Sequence, residues 1–335
     1  MKNRLFILLV LLPFLGFSQK GNQCSVAFYN IENLYDTIND PAVDDEEFLP
    51  EGKNKWNGEK FEKKIRNLAR VIDSLGGGDG PSVLGFSEVE NKYVLEVLIA
   101  NKKLAKKDYG IVHENSIDKR GIDVALIYKK SDFTPLFHKM ARITLENDPD
   151  FITRDILIVK GLLFKKPVYF FINHWPSRRG GEEESRQKRI AAAKVARNSV
   201  DTILKADPKA NIILMGDFND EPTDVSIKDY LLAADSMESK DATLFNVLAP
   251  LAKAGDGSHS YKAQWGMLDQ IIVSKNLLSK KSKLQYEENS AAVYRPVWMH
   301  DKYSKHAGAP YRTYNGPKFI GGYSDHFPVF IKLKI

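Results

Sequence analysis

The chain has 335 residues, 43% hydrophobic and 27% charged, with a formal net charge of +6 and one cysteine, Cys24. That balance excludes a disordered or fibrous chain and leaves material for a sizeable core, while a lone cysteine excludes an intrachain disulfide. The basic surplus is mild, compatible with a polyanionic partner without arguing for one.

At the N-terminus Lys2 and Arg4 precede an apolar run over 5–17 that closes on Gly16-Phe17-Ser18 before Gln19. A basic start, a short apolar stretch and small residues at its end describe a secretory signal, so 1–18 is expected to be a cleaved leader and 19–335 the folded domain. An uncleaved anchor is the alternative, but the run is short of the roughly 18 to 20 residues a spanning helix needs. Lipidation at Cys24 is weaker still, because the preceding Gly21-Asn22-Gln23 is polar. Without the leader, 47 basic side chains face 43 acidic ones, a net +4. The expected location is periplasmic or extracellular. No later segment is apolar enough to span a membrane, and no protein partner is evident.

β-rich runs follow at 25–28, 82–86, 124–128, 156–158, 168–172, 211–215, 268–273 and 327–331. Between them, helical spacing predicts helices through Phe61, Ile65, Leu68, Ile72 and Leu75, through Val94, Leu95 and Leu98, and through Ile190, Ala193, Ala196, Val200 and Ile203. Residues 39–57 and 289–318 lack periodicity and read as long loops. With no repeat and no linker, one α/β domain follows.

The polar residues of interest sit at the ends of these runs: Asn30 and Glu32, Glu88, Asn173 and His174, Asp217 and Asn219, Asp269, and Asp325 with His326. Strand ends gather side chains from distant parts of a chain into one pocket. A hard cation such as Mg²⁺, or alternatively Mn²⁺ or Ca²⁺, takes oxygen ligands, with Glu88 and Asp325 the leading ones. The lack of clustered cysteines and of an H-E-x-x-H helix argues against zinc. Each residue also has a structural reading: Glu88 as a strand-end charge or cap, Asp217 to Asp220 as an Asx turn, His174 as a core histidine, and Asp269 as the polar residue of a buried strand. Arg120, Arg178 and Arg179 are candidate phosphate contacts, against a strand-entry salt bridge and a solvated loop. Arg178, Arg179, Arg186 and Arg189 together suggest a patch for a polyanion, with Trp175 and Trp265 as stacking candidates.

The ordered set FYNIEN, GFSEVEN, RGIDVAL, INHWPS, MGDFND, LDQIIVS and YSDHFPV resembles the motif series of the endonuclease/exonuclease/phosphatase superfamily over essentially the whole mature chain. The resemblance implies a four-layer sandwich of two mixed β-sheets flanked by helices, and a divalent-metal-dependent phosphoesterase. It implies Asn30, Glu88 and Asp325 at the metal, and Asp217 and Asn219 orienting the attacking water and contacting phosphate. His326 with Asp269, and His174, are implied as phosphate-contacting or proton-handling groups. Glu32 departs from the abasic-site repair branch, which carries a shorter side chain there.

Two substrate classes stay open. NHWPSRR resembles a segment of secreted bacterial nucleases, pointing to DNA or RNA, whereas the same core also serves inositol phosphates and phospholipid head groups. A catalytically inactive binding module is the third reading, disfavoured because Glu88, Asp217, Asn219, Asp325 and His326 occur together.

Overall fold

A computed structural model describes residues 23–302 and 308–335; the expected leader over 1–18 lies outside the described residues. In chain order the main elements are β1 (Gln23–Leu34), α1 (Gly58–Gly78), β2 (Val83–Val89), α2 (Lys92–Ile99), β3 (Tyr109–His113), β4 (Asp123–Lys129), β5 (Phe133–Ala141), β6 (Ile156–Leu163), β7 (Lys166–His174), α3 (Glu182–Ala206) and β8 (Ile212–Asp217). There follow β9 (Ala233–Ala234), β10 (Leu244–Asn246), β11 (His259–Tyr261), β12 (Gln264–Gly266), β13 (Asp269–Ser274), β14 (Gln285–Tyr286), β15 (Ala292–Val293), β16 (Tyr314–Asn315), β17 (Lys318–Phe319) and β18 (Val329–Lys334).

Two seven-stranded sheets result. The first runs β14-β18-β1-β2-β4-β3 with β15 beside β18, and the second runs β5-β6-β7-β8-β13-β10-β9. β1 pairs parallel with β2 and β7 parallel with β8, and antiparallel pairs surround both, so each sheet is mixed.

The strands are apolar on both faces, and a strand buried twice must be covered twice. Along β1, Val26 and Phe28 enter the cluster between the sheets, while Ala27 and Tyr29 enter the cluster beneath the helices. Phe170 and Ile172 of β7, and Ile213 and Met215 of β8, likewise face the inter-sheet core, with Phe171 and Leu214 facing outward. α1 covers the outer face of the first sheet with Ile65, Leu68 and Ile72, joined by Leu95 of α2. α3 covers the second sheet with Ala193, Ala196 and Val200. The Asn57 and Asn91 side chains cap α1 and α2 by accepting from Lys60 N and Val94 N. The four layers anticipated from the sequence are therefore present.

β3 and β5 escape the sequence reading. β5 is an edge strand that leaves Leu136 and Phe137 exposed, so its pattern lacks the signature of a buried strand. The described residues of 289–318 are mostly loop, interrupted by the short strands β15 and β16 and a 3-10 turn at Val297–Met299.

Phe170 is fully buried between the sheets, edge-on to Phe133 at 5.4 Å between ring centroids. Phe170→Ala is expected to cost about 3–5 kcal/mol, seen as a lower urea midpoint with an unchanged slope.

Candidate active site

The inter-sheet core ends in polar residues. On β1 the inward positions Val26 and Phe28 are followed by Asn30, on β7 Phe170 and Ile172 by His174, and on β8 Ile213 and Met215 by Asp217. β13 runs the other way, so its Asp269 precedes Ile271 and Val273. Side chains two apart share a face, so these four groups cap the core at one edge of the sandwich. Strand register aligns them further, with His174 beside Asp217 and Asp217 beside Asp269. Gly216 makes room next to them: a Cβ there would stand 2.4 Å from the Asn173 carbonyl oxygen.

Glu88 arrives differently. Strand alternation would send it with Leu84 and Phe86 toward the helices, but the register shifts at Ser87/Val89 and Glu88 takes a φ of 63°. This bulge re-aims the side chain. Its Oε1 accepts from Asn30 Nδ2 at 3.3 Å and its Oε2 from Asn33 N at 2.9 Å.

Asp217 Oδ2 is the point on which the site converges. It accepts from Asn30 Nδ2 at 3.0 Å, while His174 Nε2 and His326 Nε2 stand 3.8 and 3.9 Å away. The last two are too long for direct hydrogen bonds and are of a span that one shared oxygen atom bridges. Asp217 Oδ1 accepts from Asn219 N at 3.0 Å, and Asn219 Nδ2 donates to the Trp175 carbonyl. Burial pushes the Asp217 carboxyl up to about 7 against the pull of His326.

The two histidines have opposite characters. Burial drives His174 well below the usual imidazole range, and Arg154, Arg120 and His326 add to this. It is neutral at pH 7. Burial also acts to lower His326, but the Asp269 carboxylate, 2.6 Å from its Nδ1, joined by Asp217 and Asp325, holds it well above that range. Asp269 also accepts from Ser258 Oγ, which fixes the pair's orientation.

A second group of charges lies alongside. Asp325 accepts from Arg312 Nη2 at 2.8 Å, and Glu32 accepts from Thr313 N at 2.6 Å with Lys64 Nζ 3.8 Å away. Burial, with Asp325 nearby, pushes Glu32 up to about 7. The His259 ring packs 4.7 Å from that of His326. Arg312, Lys64, His259 and Arg154 were missed by the sequence reading. Arg312 lies in a stretch without periodicity, and the others fall outside its motifs.

The residues present fit a hard cation at Glu88. Glu88 and Asp217 bring carboxylate oxygens together around the Asn30 amide nitrogen, and the ion-pair neighbours of Glu88 and Asp217 among the described residues are histidines, with no lysine or arginine. Two carboxylates with no lysine or arginine within ion-pair distance offer the oxygen donors that Mg²⁺ and Mn²⁺ take. Two further trios have ligand atoms mutually within 4.8 Å: His259, Asp325 and His326, and Asp217, Asp269 and His326. Neither contains Glu88. Asp325 of the first is paired with Arg312 and the second is tied together by the His326–Asp269 bond, so Glu88, oriented by the Asn30 amide, is the better anchor for a hard ion.

Several sequence expectations need correction. Asn173 shares the outward face with Phe171 and Trp175; it is fully buried and bonds the Phe171 and Met215 carbonyls and the Trp175 ring nitrogen, so it supports β7 and does not face substrate. Trp175 is also fully buried and offers no stacking face. The basic patch dissolves into ion pairs. Arg178 binds the Asn219 carbonyl, Glu182 and Asp224, Arg186 binds Glu183, and buried Arg189 binds Asp220. Arg179 is exposed. Arg120 is exposed too and pairs with Asp118, the salt-bridge alternative, yet it still directs positive charge toward His174.

Because the folded His326 titrates above its ordinary value of 6.5, its proton stabilises the fold fully below about pH 6.5, a contribution lost as pH rises through the folded value. Asp269→Asn removes the main charge opposing burial. The His326 ring resonances are then expected to titrate at a lower pH than in the wild type by NMR.

No curated protein sequence matches the chain. Among solved structures, humanized D. rerio TDP2 superposes with a TM-score of 0.57 at 15% identity, covering 94% of this chain and 100% of that one. An endonuclease/exonuclease/phosphatase family protein from Bacteroides thetaiotaomicron gives 0.55 at 16%, covering 94% and 98%. D. rerio TDP2 complexed with single strand DNA product gives 0.54 at 13%, covering 93% and 99%. These likenesses establish the shared fold. The model of the Endonuclease/Exonuclease/phosphatase family matches residues 25–335, which include every strand-end group described above, and the chain accordingly belongs to that family of metal-dependent phosphoester hydrolases.

Proposed function

We propose that the protein is an exported phosphodiesterase that cleaves nucleic acid with a divalent cation held at Glu88, whose carboxylate the Asn30 amide orients. The observation that carries this reading is the convergence of Asn30, His174 and His326 on Asp217 Oδ2 at 3.0 to 3.9 Å. When bound, Mg²⁺ or Mn²⁺ supplies Lewis-acid polarisation of the phosphoryl oxygen. Asp217, brought near neutrality by burial, is suited to accept a proton from the attacking water. Protonated His326, steadied by Asp269, places positive charge where the phosphorane gains negative charge. Asn219 uses one amide N–H on the Trp175 carbonyl and keeps the other for a phosphate oxygen.

The nucleic-acid reading is supported by a cavity of about 420 Å³ whose lining includes Asn219, His259, Tyr261, Gln264 and Trp265. It joins aromatic rings to polar donors beside the reacting groups, the composition suited to a nucleobase. The DNA product in the structurally similar TDP2 complex points the same way. Export is supported by the basic start and the apolar run over 5–17. Among the described residues, no helix is long and apolar enough to cross a membrane. One observation favours a smaller phosphodiester: Arg178, Arg186 and Arg189 are each engaged by an acid, so they form no track for many backbone phosphates.

Chelation is expected to abolish hydrolysis of both an oligonucleotide and a bis-phosphodiester dye. Glu88→Gln should do nearly the same with the fold intact, and Asp217→Asn should reduce turnover by about 10² to 10⁴. Activity that persists under exhaustive chelation rejects the metal role. Tyr261, 65% exposed, can be removed without disturbing the core. Tyr261→Ala is expected to raise KM for single-stranded oligonucleotide by roughly 5- to 150-fold, the equivalent of about 1–3 kcal/mol for one stacked base, and to leave dye turnover unchanged. Equal effects on the two substrates would favour the small-phosphodiester reading.

A further inference from the structure

Glu88 and Asp325 are both acids of the site, yet their charges are met differently. Glu88 is held by amide donors, Asn30 Nδ2 and Asn33 N, with neutral His174 at 3.9 Å. Asp325 and its neighbour Glu32 are given cations of the protein's own. Arg312 Nη2 lies 2.8 Å from Asp325 and its Nε 3.8 Å from Glu32, while Lys64 Nζ lies 3.8 Å from Glu32. Two acids thus meet two bases.

Lys64 is fixed through its side chain and Arg312 through its backbone. Lys64 is fully buried and donates to Thr313 Oγ1 at 2.6 Å and to the Tyr323 carbonyl at 2.9 Å. The backbone around Arg312 is fixed from both sides, since Thr313 N bonds Glu32, Gly322 N bonds the Arg312 carbonyl and Tyr323 N bonds the Tyr311 carbonyl. Gly322 is required for that contact, because a Cβ would stand 2.3 Å from the Arg312 oxygen.

We infer that Arg312 is a resident cation of the active site that keeps Asp325 and Glu32 out of metal ligation, so that the protein takes one divalent ion, at Glu88, and not two. The inference rests on Glu88 as the anchor of that ion. It replaces the sequence expectation that Asp325 is a metal ligand. Removing the guanidinium would leave Asp325 to His259 and His326, whose ring nitrogens lie within 4.8 Å of it, His326 Nε2 at 4.0 Å. One carboxylate and two imidazoles form a ligand set that Mn²⁺ accepts, the ion displacing the proton from His326 Nε2 as it binds. Arg312 therefore excludes an ion from a place otherwise prepared for one.

The test is Mn²⁺ binding to the full chain, by isothermal titration and by the paramagnetic resonance signal of free ion, with circular dichroism confirming the fold of each variant. Wild type is expected to bind one ion, Arg312→Ala two, Arg312→Lys one, and Arg312→Ala with Asp325→Asn one again. Arg312→Gln, which keeps the length and a donor but not the charge, serves in place of Arg312→Ala if the latter does not fold, and should also bind two. Two ions on the wild type, or one on the charge-removing variants, overturns the inference. Glu88→Gln separates this from the anchor assignment: in the wild-type background it should abolish binding, and with Arg312→Ala it should leave the new ion alone. A wild type that binds no Mn²⁺ rejects the anchor and the inference together.

Discussion

The hydrogen bond from Asn30 Nδ2 to Asp217 Oδ2 is the contact on which the site depends, because it joins a side chain of one sheet to a side chain of the other in a buried setting. Without it, two carboxylates from separate sheets would face each other at the end of an apolar core. Asn30 prevents that by donating to Glu88 and Asp217 with one amide nitrogen and accepting from Glu32 N with its oxygen. A buried polar network is favourable when its members are satisfied, and this amide satisfies both acids at once. The spacing of the sheets, set by Phe28, Phe170, Ile172 and Met215 behind it, fixes the reach of that bond.

Much of this arrangement was legible in the sequence, for a reason rooted in strand geometry. A period-two apolar run that ends in Asn, His or Asp states both that a strand is present and which face the polar residue takes. Asn30, His174, Asp217 and Asp269 all obey that rule. Asn173 obeys it too, and the rule applied strictly would have put it on the outer face with Phe171 and Trp175. Glu88 is the exception, since a left-handed residue in a bulge reverses its side, and alternation cannot foresee a bulge.

What stayed hidden were partnerships between residues far apart in the chain. Arg178 and Arg189 read as a basic patch because neighbours in sequence were counted and partners in space were not. Asp220 and Asp224 from the turn after β8 neutralise them, at separations that no local pattern reveals. Arg312 and His259 were invisible for a related reason: long connections are positioned by backbone contacts such as Gly322 N to the Arg312 carbonyl, not by hydrophobic periodicity. Net charge was similarly uninformative, since the bases that matter, Lys64, Arg178, Arg189 and Arg312, each stand opposite acids.

The backbone around the site shows what such placement costs. Glu32, Asn33, Glu88 and Asn219 all have φ near +50 to +63°, a region that side chains other than glycine occupy at a penalty of about 1–2 kcal/mol. All four lie at the ends of β1, β2 and β8, where the strands leave the apolar core, and each is tied by at least one hydrogen bond to another group of the site. Strain of this kind persists only where the surroundings over-determine it. With one cysteine the chain has no disulfide to supply that constraint, so the two-sided burial of the strands must. The requirement for a core on both faces of each sheet and the ability to hold carboxylates in unfavourable backbone conformations are thus one property of the fold.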